Sequence, residues 1–131
     1  MTGAAPTWQL TLAVALGGGL GSCLRWRVGL WLNPLACPFA AGTLAVNIAG
    51  GLLIGLFMVW FERHPSEWGR LALITGLLGG LTTFSAFSAE SLTLLLRGQP
   101  WLALLHSAAH LGGGLAAAAA GWHLARALLA A

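Results

Sequence analysis

The chain has 131 residues, the length of one ordinary domain, yet 58% of them are hydrophobic and only 7% are charged. Soluble domains carry about 25% charged residues to cover their surface. Three glutamates and six arginines, with no lysine and no aspartate, therefore exclude a soluble enzyme, a disordered regulator and a basic nucleic-acid binder, and a net charge of +3 implies no acidic partner.

A helix crossing about 30 Å of hydrocarbon needs about 20 predominantly apolar residues. Residues 1–24 carry no charge and predict a first span over Trp8–Arg25. Within it, Gly17/Gly21 and Gly18/Ser22 set small residues four apart, which lets helix backbones approach closely. No positively charged stretch precedes it, so no cleaved signal peptide is expected. After Arg25 and Arg27, Asn33-Pro34 and Cys37-Pro38 mark a loop. Cys23 and Cys37 lack metal-site spacing and are expected to be free thiols.

The uncharged stretch from Val28 to Phe61 predicts a second span over Phe39–Phe61, with a further small pair at Gly51/Gly55. Asn47 stands inside it, with Thr43 one turn earlier on the same face. An amide in a span is costly unless its donors find partners. Two readings are open: an interhelical hydrogen bond, or N–H donors offered to something passing.

A polar patch over residues 62–70 leads to a third span, Arg70–Leu96, which holds the most unusual chemistry. Gly79-Gly80-Leu81-Thr82-Thr83 sets two glycines and two β-branched residues side by side, all poor helix formers. The stretch predicts a helix break near Gly79–Thr83, tolerated at membrane depth only where it is buried in protein or lines a wet cavity. The alternative is that the glycines pack a neighbour while the Thr hydroxyls bond the preceding turn. Phe84 and Phe87 share a helical face with Ser88 and Ser91. Ring edges carry partial positive charge and can attract a small anion, although a Phe pair at this spacing is also ordinary packing.

The fourth span is expected over Trp101–Arg126 and carries small residues at Gly112-Gly113-Gly114 and Ala116/Ala120. His106 and His110 share a face at metal-ligand spacing, with no third ligand evident in the sequence. Tryptophans 8, 31, 60, 68, 101 and 122 lie near the predicted span ends, where amphipathic rings suit the headgroup region. The reading is an all-α integral membrane protein, one four-helix transmembrane domain over residues 1–131. With four spans, Arg63, Arg70 and Arg126 fall on one side and Arg25, Arg27 and Arg97 on the other. The positive-inside rule then selects neither orientation, and two opposite copies can pair about an axis in the membrane plane, as inverted repeats do within larger transporters.

Together these residues resemble the small fluoride channels called Fluc or CrcB. The resemblance rests on Gly17-Gly18-Gly19-Leu20-Gly21-Ser22-Cys23-Leu24-Arg25, on Gly42-Thr43-Leu44-Ala45-Val46-Asn47, on Gly79 to Ser88, on Glu90 and on the four-span length. It implies an antiparallel, dual-topology homodimer with two pores in the bacterial cytoplasmic membrane. There it would passively export fluoride and confer fluoride resistance. By position, Phe84 and Phe87 match paired pore phenylalanines, Asn47 a pore asparagine and Thr43 a pore-lining hydroxyl, while Ser85 and Thr83 resemble polar-track positions. Gly79 and Thr82 match residues whose backbone carbonyls, from both subunits, hold a structural sodium ion. Glu90 matches a vestibule-end acid and Arg25 an anchor near the pore entrance. The chain departs from the family in its fourth span, which has no hydroxyl-bearing tyrosine and offers His106, Ser107 and His110 as candidate lining instead.

No span centre carries a lysine or arginine that would bind anions too tightly for conduction. The rival reading is a small proton-coupled multidrug transporter, which needs an exchangeable acid deep in the membrane. The first span has no acid, and Glu90 lies about 12 Å beyond the expected break. The expected partners are fluoride, the lipid bilayer and a second copy of the chain, with no nucleic acid.

Overall fold

The computed structural model describes residues 6–35 and 39–129, all in helices and short connections. Helix α1 spans Thr7–Leu32, seeded where the Pro6 carbonyl accepts the Gln9 and Leu10 N–H groups. It runs seven residues past Arg25, the end read from the sequence, because, Arg27 apart, Trp26 to Leu32 is apolar and nothing stops the helix before Asn33-Pro34. Helix α2 spans Ala41–Arg63 and begins at Ala40, whose side chain cannot cap. Asn33 supplies the cap from the end of α1: its Oδ1 accepts the Gly42 N–H at 2.8 Å. A Cβ on Gly42 would stand 2.6 Å from that oxygen, so the cap depends on glycine. Cys37 and Pro38 lie outside the described residues, and Cys23 is an exposed free thiol.

The third rod is built in pieces. Ser66 caps the short helix α3 (Glu67–Arg70) through the Gly69 N–H. A wide-turned π segment, Leu71–Leu78, and a last turn, α4 (Gly79–Leu81), follow directly. The chain then goes extended at Thr82 (φ −84°, ψ 158°) and Thr83 (φ −151°, ψ 118°) before α5, Phe84–Leu96. The break therefore sits at the threonine end of the stretch read from the sequence, while Gly79 and Gly80 stay helical. Thr82 bonds back to the Leu78 carbonyl through Oγ1 at 2.8 Å, and Thr83 Oγ1 caps α5 by accepting the Ala86 N–H at 3.1 Å. Gly80 serves packing instead, pressed against the backbone of Gly18 and Ser22 in α1.

Gly98, at φ 72°, reverses the chain after α5. The N–H groups of Gly98 and Gln99 return to the Leu95 and Leu94 carbonyls, closing a Schellman motif. Helix α6 then runs from Pro100 to Leu129. Helix α6 packs along α2, and α1 packs along the π segment and α4. Glycine makes both seams: Gly55 meets Ala118 and Gly121 meets Leu52, while Gly17, Gly21 and Gly76 let α1 and the third rod touch backbone to backbone. Ala116 and Ala120, the small pair expected in the fourth span, are exposed on the chain.

Among the described residues, three helical rods are long and apolar enough to cross a membrane by length and composition: Ala41–Arg63, Glu67–Leu96 and Pro100–Leu129. Helix α1 is a further long helix of 26 residues, diluted by Thr, Gln, Gly and two arginines. Polarity is turned inside out relative to a soluble domain. Leu12, Leu16, Leu20 and Leu24 stripe the outside of α1, while Thr43, Thr83, His106 and His110 are buried.

Candidate functional site

Interrupting a helix in an apolar medium leaves backbone groups with no water to satisfy them, and each costs several kcal/mol. Here the repair comes from α2. Asn47 Oδ1 accepts the Thr83 N–H at 2.8 Å, and Asn47 Nδ2 donates to the Thr83 carbonyl at 3.1 Å. One side chain thus replaces both helical partners of Thr83. The other amide hydrogen of Asn47 faces His110 Nδ1 on α6 at 3.1 Å. Both amide donors are taken up by the chain, so Asn47 joins α2, the break and α6 in the interhelical manner.

Because Thr83 gives its N–H to Asn47, the Gly79 carbonyl loses the donor that a continuous helix would supply. The Thr82 carbonyl faces Arg25 Nη1 of α1 at 3.4 Å, a long contact. Arg25 is therefore not at a helix end but on the wall of α1, beside the break.

Two recesses meet at Thr83. The larger, of about 780 Å³, is lined by Arg25, Asn33, Thr43, Thr83 and Ser85 among others. The smaller, of about 240 Å³, is lined by Asn47, Thr82, Thr83, Phe84, Phe87, His110 and Leu111. Ser85 Oγ sits 3.1 Å from Thr83 Oγ1, which carries hydroxyls from the break onto the exposed side of α5. Phe84 is 75% exposed, so it is not part of the core of this chain. Its ring centroid lies 5.4 Å from that of Phe87. Phe87 in turn stacks on His106 at 5.4 Å and leans on His110 at 5.0 Å.

Behind the phenylalanines lies a polar cluster. Thr43 Oγ1 donates to Glu90 Oε1 at 2.6 Å, and Glu90 Oε2 is 3.0 Å from His106 Nε2. His106 Nδ1 pairs with Ser91 Oγ at 2.9 Å, and the His106 ring is fully buried. One ligand atom each from Glu90, His106 and His110 lie within 4.8 Å of one another. The third member that the sequence did not reveal for the histidine pair is Glu90. A signal for it exists: Glu90 and His106 lie eight residues either side of Gly98, the point where the chain reverses. Positions equidistant from a helical hairpin turn come to the same height. Ser107 is half-buried and is not among the residues lining the smaller recess.

The chain is similar to known proteins over nearly its whole length. Residues 12–122 match the family described as CrcB-like protein, Camphor Resistance (CrcB). A protein of Bordetella petrii named fluoride-specific ion channel FluC is 54% identical over 119 residues, covering 89% of this chain and 91% of its own. One of the same name from Thiobacillus denitrificans is 50% identical over 114 residues, covering 86% of this chain and 92% of its own. Another, from Pseudomonas paraeruginosa, is 49% identical over 111 residues, covering 82% and 87%. With a match across the first three helical rods and most of α6, this helical, multi-pass membrane protein belongs to the CrcB family.

Proposed function

We infer that the protein is a fluoride-specific ion channel and not an enzyme. The observation that carries the reading is the break itself. An exposed Phe84 and its partner Phe87 border a recess with Asn47 and the Thr82–Thr83 segment, in a chain half identical to channels of that name. Ring edges and neutral donors can replace hydration water in small steps without holding the ion, as conduction requires. The larger recess, with Arg25 on its wall, gathers anions from water, and Thr43, Thr83 and Ser85 lead inward from it.

The finer reading has four spans in a single unit, with α1 as the first. Two copies run antiparallel in the bacterial cytoplasmic membrane, form two pores and passively export fluoride, which confers resistance. Exposed Phe84 supports the second copy, since half of a path on the outside of one chain needs another wall. A structural sodium ion suits the same junction: the Gly79 carbonyl lacks its helical donor and Thr82 is extended. Hard cations gather about six oxygens, so two carbonyls per chain require contributions from the partner. Bound there, such an ion would supply fixed positive charge to the Gly79 and Thr82 carbonyls at the junction of the broken rods.

Purified protein in liposomes loaded with fluoride provides the test, read with a fluoride electrode after the membrane potential is collapsed. Rapid fluoride efflux with chloride retained is expected. Efflux no faster than from empty liposomes, or equal chloride flux, overturns the reading.

A further inference from the structure

The third rod, Glu67–Leu96, is long and apolar enough to span, so its first turn lies at the level of the lipid headgroups. The exposed ring of Trp68 suits that level. A groove of about 570 Å³ opens there, with Glu67 and Arg70 at its mouth and Leu71 and Ile74 further along the rod. Glu67 and Arg70 are exposed, while Leu71 and Ile74 are half-buried. The groove therefore has a charged end in the headgroup layer and an apolar floor running toward the hydrocarbon.

Three residues apart on one helical turn, Glu67 and Arg70 are spaced to pair with each other. They do not: among the described residues the one ion pair joins Glu90 and His106. Other arginines are engaged within the chain. Arg63 bonds the Leu129 carbonyl, while Arg126 lies over Trp122 and Arg27 over Trp31. The Arg70 guanidinium has no such partner among the described residues. Two opposite charges left open above an apolar floor match a ligand with both charges close together and a hydrocarbon tail. A zwitterionic phospholipid has that form. Guanidinium takes phosphate through paired hydrogen bonds, and a carboxylate takes a primary ammonium through its N–H groups. A choline headgroup has no N–H to give, and a glycerol headgroup brings no cation to Glu67.

We propose that this groove binds one phosphatidylethanolamine molecule per chain. Its phosphate lies on Arg70, its ammonium on Glu67, and an acyl chain runs along Leu71 and Ile74. The groove shares no lining residue with the two recesses that meet at Thr83, so the site stands apart from the proposed ion path.

Native mass spectrometry of the purified, delipidated protein tests it. Dioleoyl phosphatidylethanolamine, phosphatidylcholine and phosphatidylglycerol are added at equal concentration. The first lipid bound per chain should be the ethanolamine lipid, favoured over each of the others by about three-fold or more, as a partly exposed charge pair implies. Glu67→Gln should abolish that preference while all three lipids still bind. Arg70→Gln should weaken all three together, because each carries a phosphate. Arg97→Gln, at the other end of the rod, should bind as the wild type does. No headgroup preference in the wild type, a preference that survives Glu67→Gln, or an equal loss in Arg97→Gln overturns the proposal. Vesicles of phosphatidylethanolamine and phosphatidylglycerol give a second measurement on the wild type alone. A photoactivatable acyl chain on the ethanolamine lipid should crosslink within residues 71–75. Absence of label there overturns the proposal whether or not the variants assemble.

Discussion

Thr83 lies where two helices would otherwise be one, and its two backbone polar groups meet the two ends of one amide. That substitution makes an interruption sustainable in a medium without water, where orphan backbone groups cost several kcal/mol each. The break then frees Phe84 to project from the chain while Phe87 leans on the two histidines. If the ring edges form the path, Phe84→Ile or Phe87→Ile should lower fluoride efflux by more than about ten-fold, since each swap removes an electropositive edge but keeps bulk. Assembly, read by size-exclusion chromatography, should persist. Unchanged efflux would return the rings to plain packing.

At the scale of elements, the seams are made by glycine. Helix pairs in lipid gain no hydrophobic drive from meeting, so close backbone approach has to supply the attraction. Gly55 faces the Ala118 carbonyl across the α2–α6 seam, with no room for a side chain. Gly55→Leu should cost about 1–3 kcal/mol or more by overpacking, measured as a lower unfolding midpoint in detergent or loss of the monodisperse species. Gly19 meets nothing within 4 Å. Gly19→Ala should leave the midpoint unchanged or raise it, by up to about 1 kcal/mol of helix propensity. The four-residue spacings at Gly17/Gly21 and Gly51/Gly55 were legible in the sequence because each lies within a single helix. Spacing could not separate them from Ala116/Ala120, which is exposed, because it does not tell which face meets a neighbour.

Among the described residues, many large apolar side chains lie outside, and His106 is the largest side chain that is fully buried. Such an arrangement suits a lipid solvent, where the polar interior is the part that must be organised. Arg25 and Glu90 lie among the packed helices beside the break, whereas other charges sit on aromatic neighbours and rod ends: Arg126 lies 4.7 Å over Trp122, and Arg63 bonds the Leu129 carbonyl at the end of α6. With three arginines assigned to each side of the proposed four spans, neither orientation is favoured. A single cysteine at Ser66, in a background with Cys23 and Cys37 replaced by alanine, should react with impermeant maleimide added to either face of the membrane. Labelling from one side alone would contradict dual topology.

Membrane class, the second, third and fourth predicted segments to within a few residues, and the region of the break followed from sequence alone, because hydropathy, charge-free length and poor helix propensity are local properties that add along the chain. The first helix ran seven residues past its predicted end. The Gly79-Gly80 pair misdirected the exact position, since low propensity cannot distinguish a residue that breaks a helix from one that lets helices touch. Only the tertiary structure joined Asn47 to Thr83 and His110, and Glu90 to Thr43 and His106. Those bonds join residues 16 to 63 positions apart. They depend on the rotation and height of three packed helices, which no local pattern specifies.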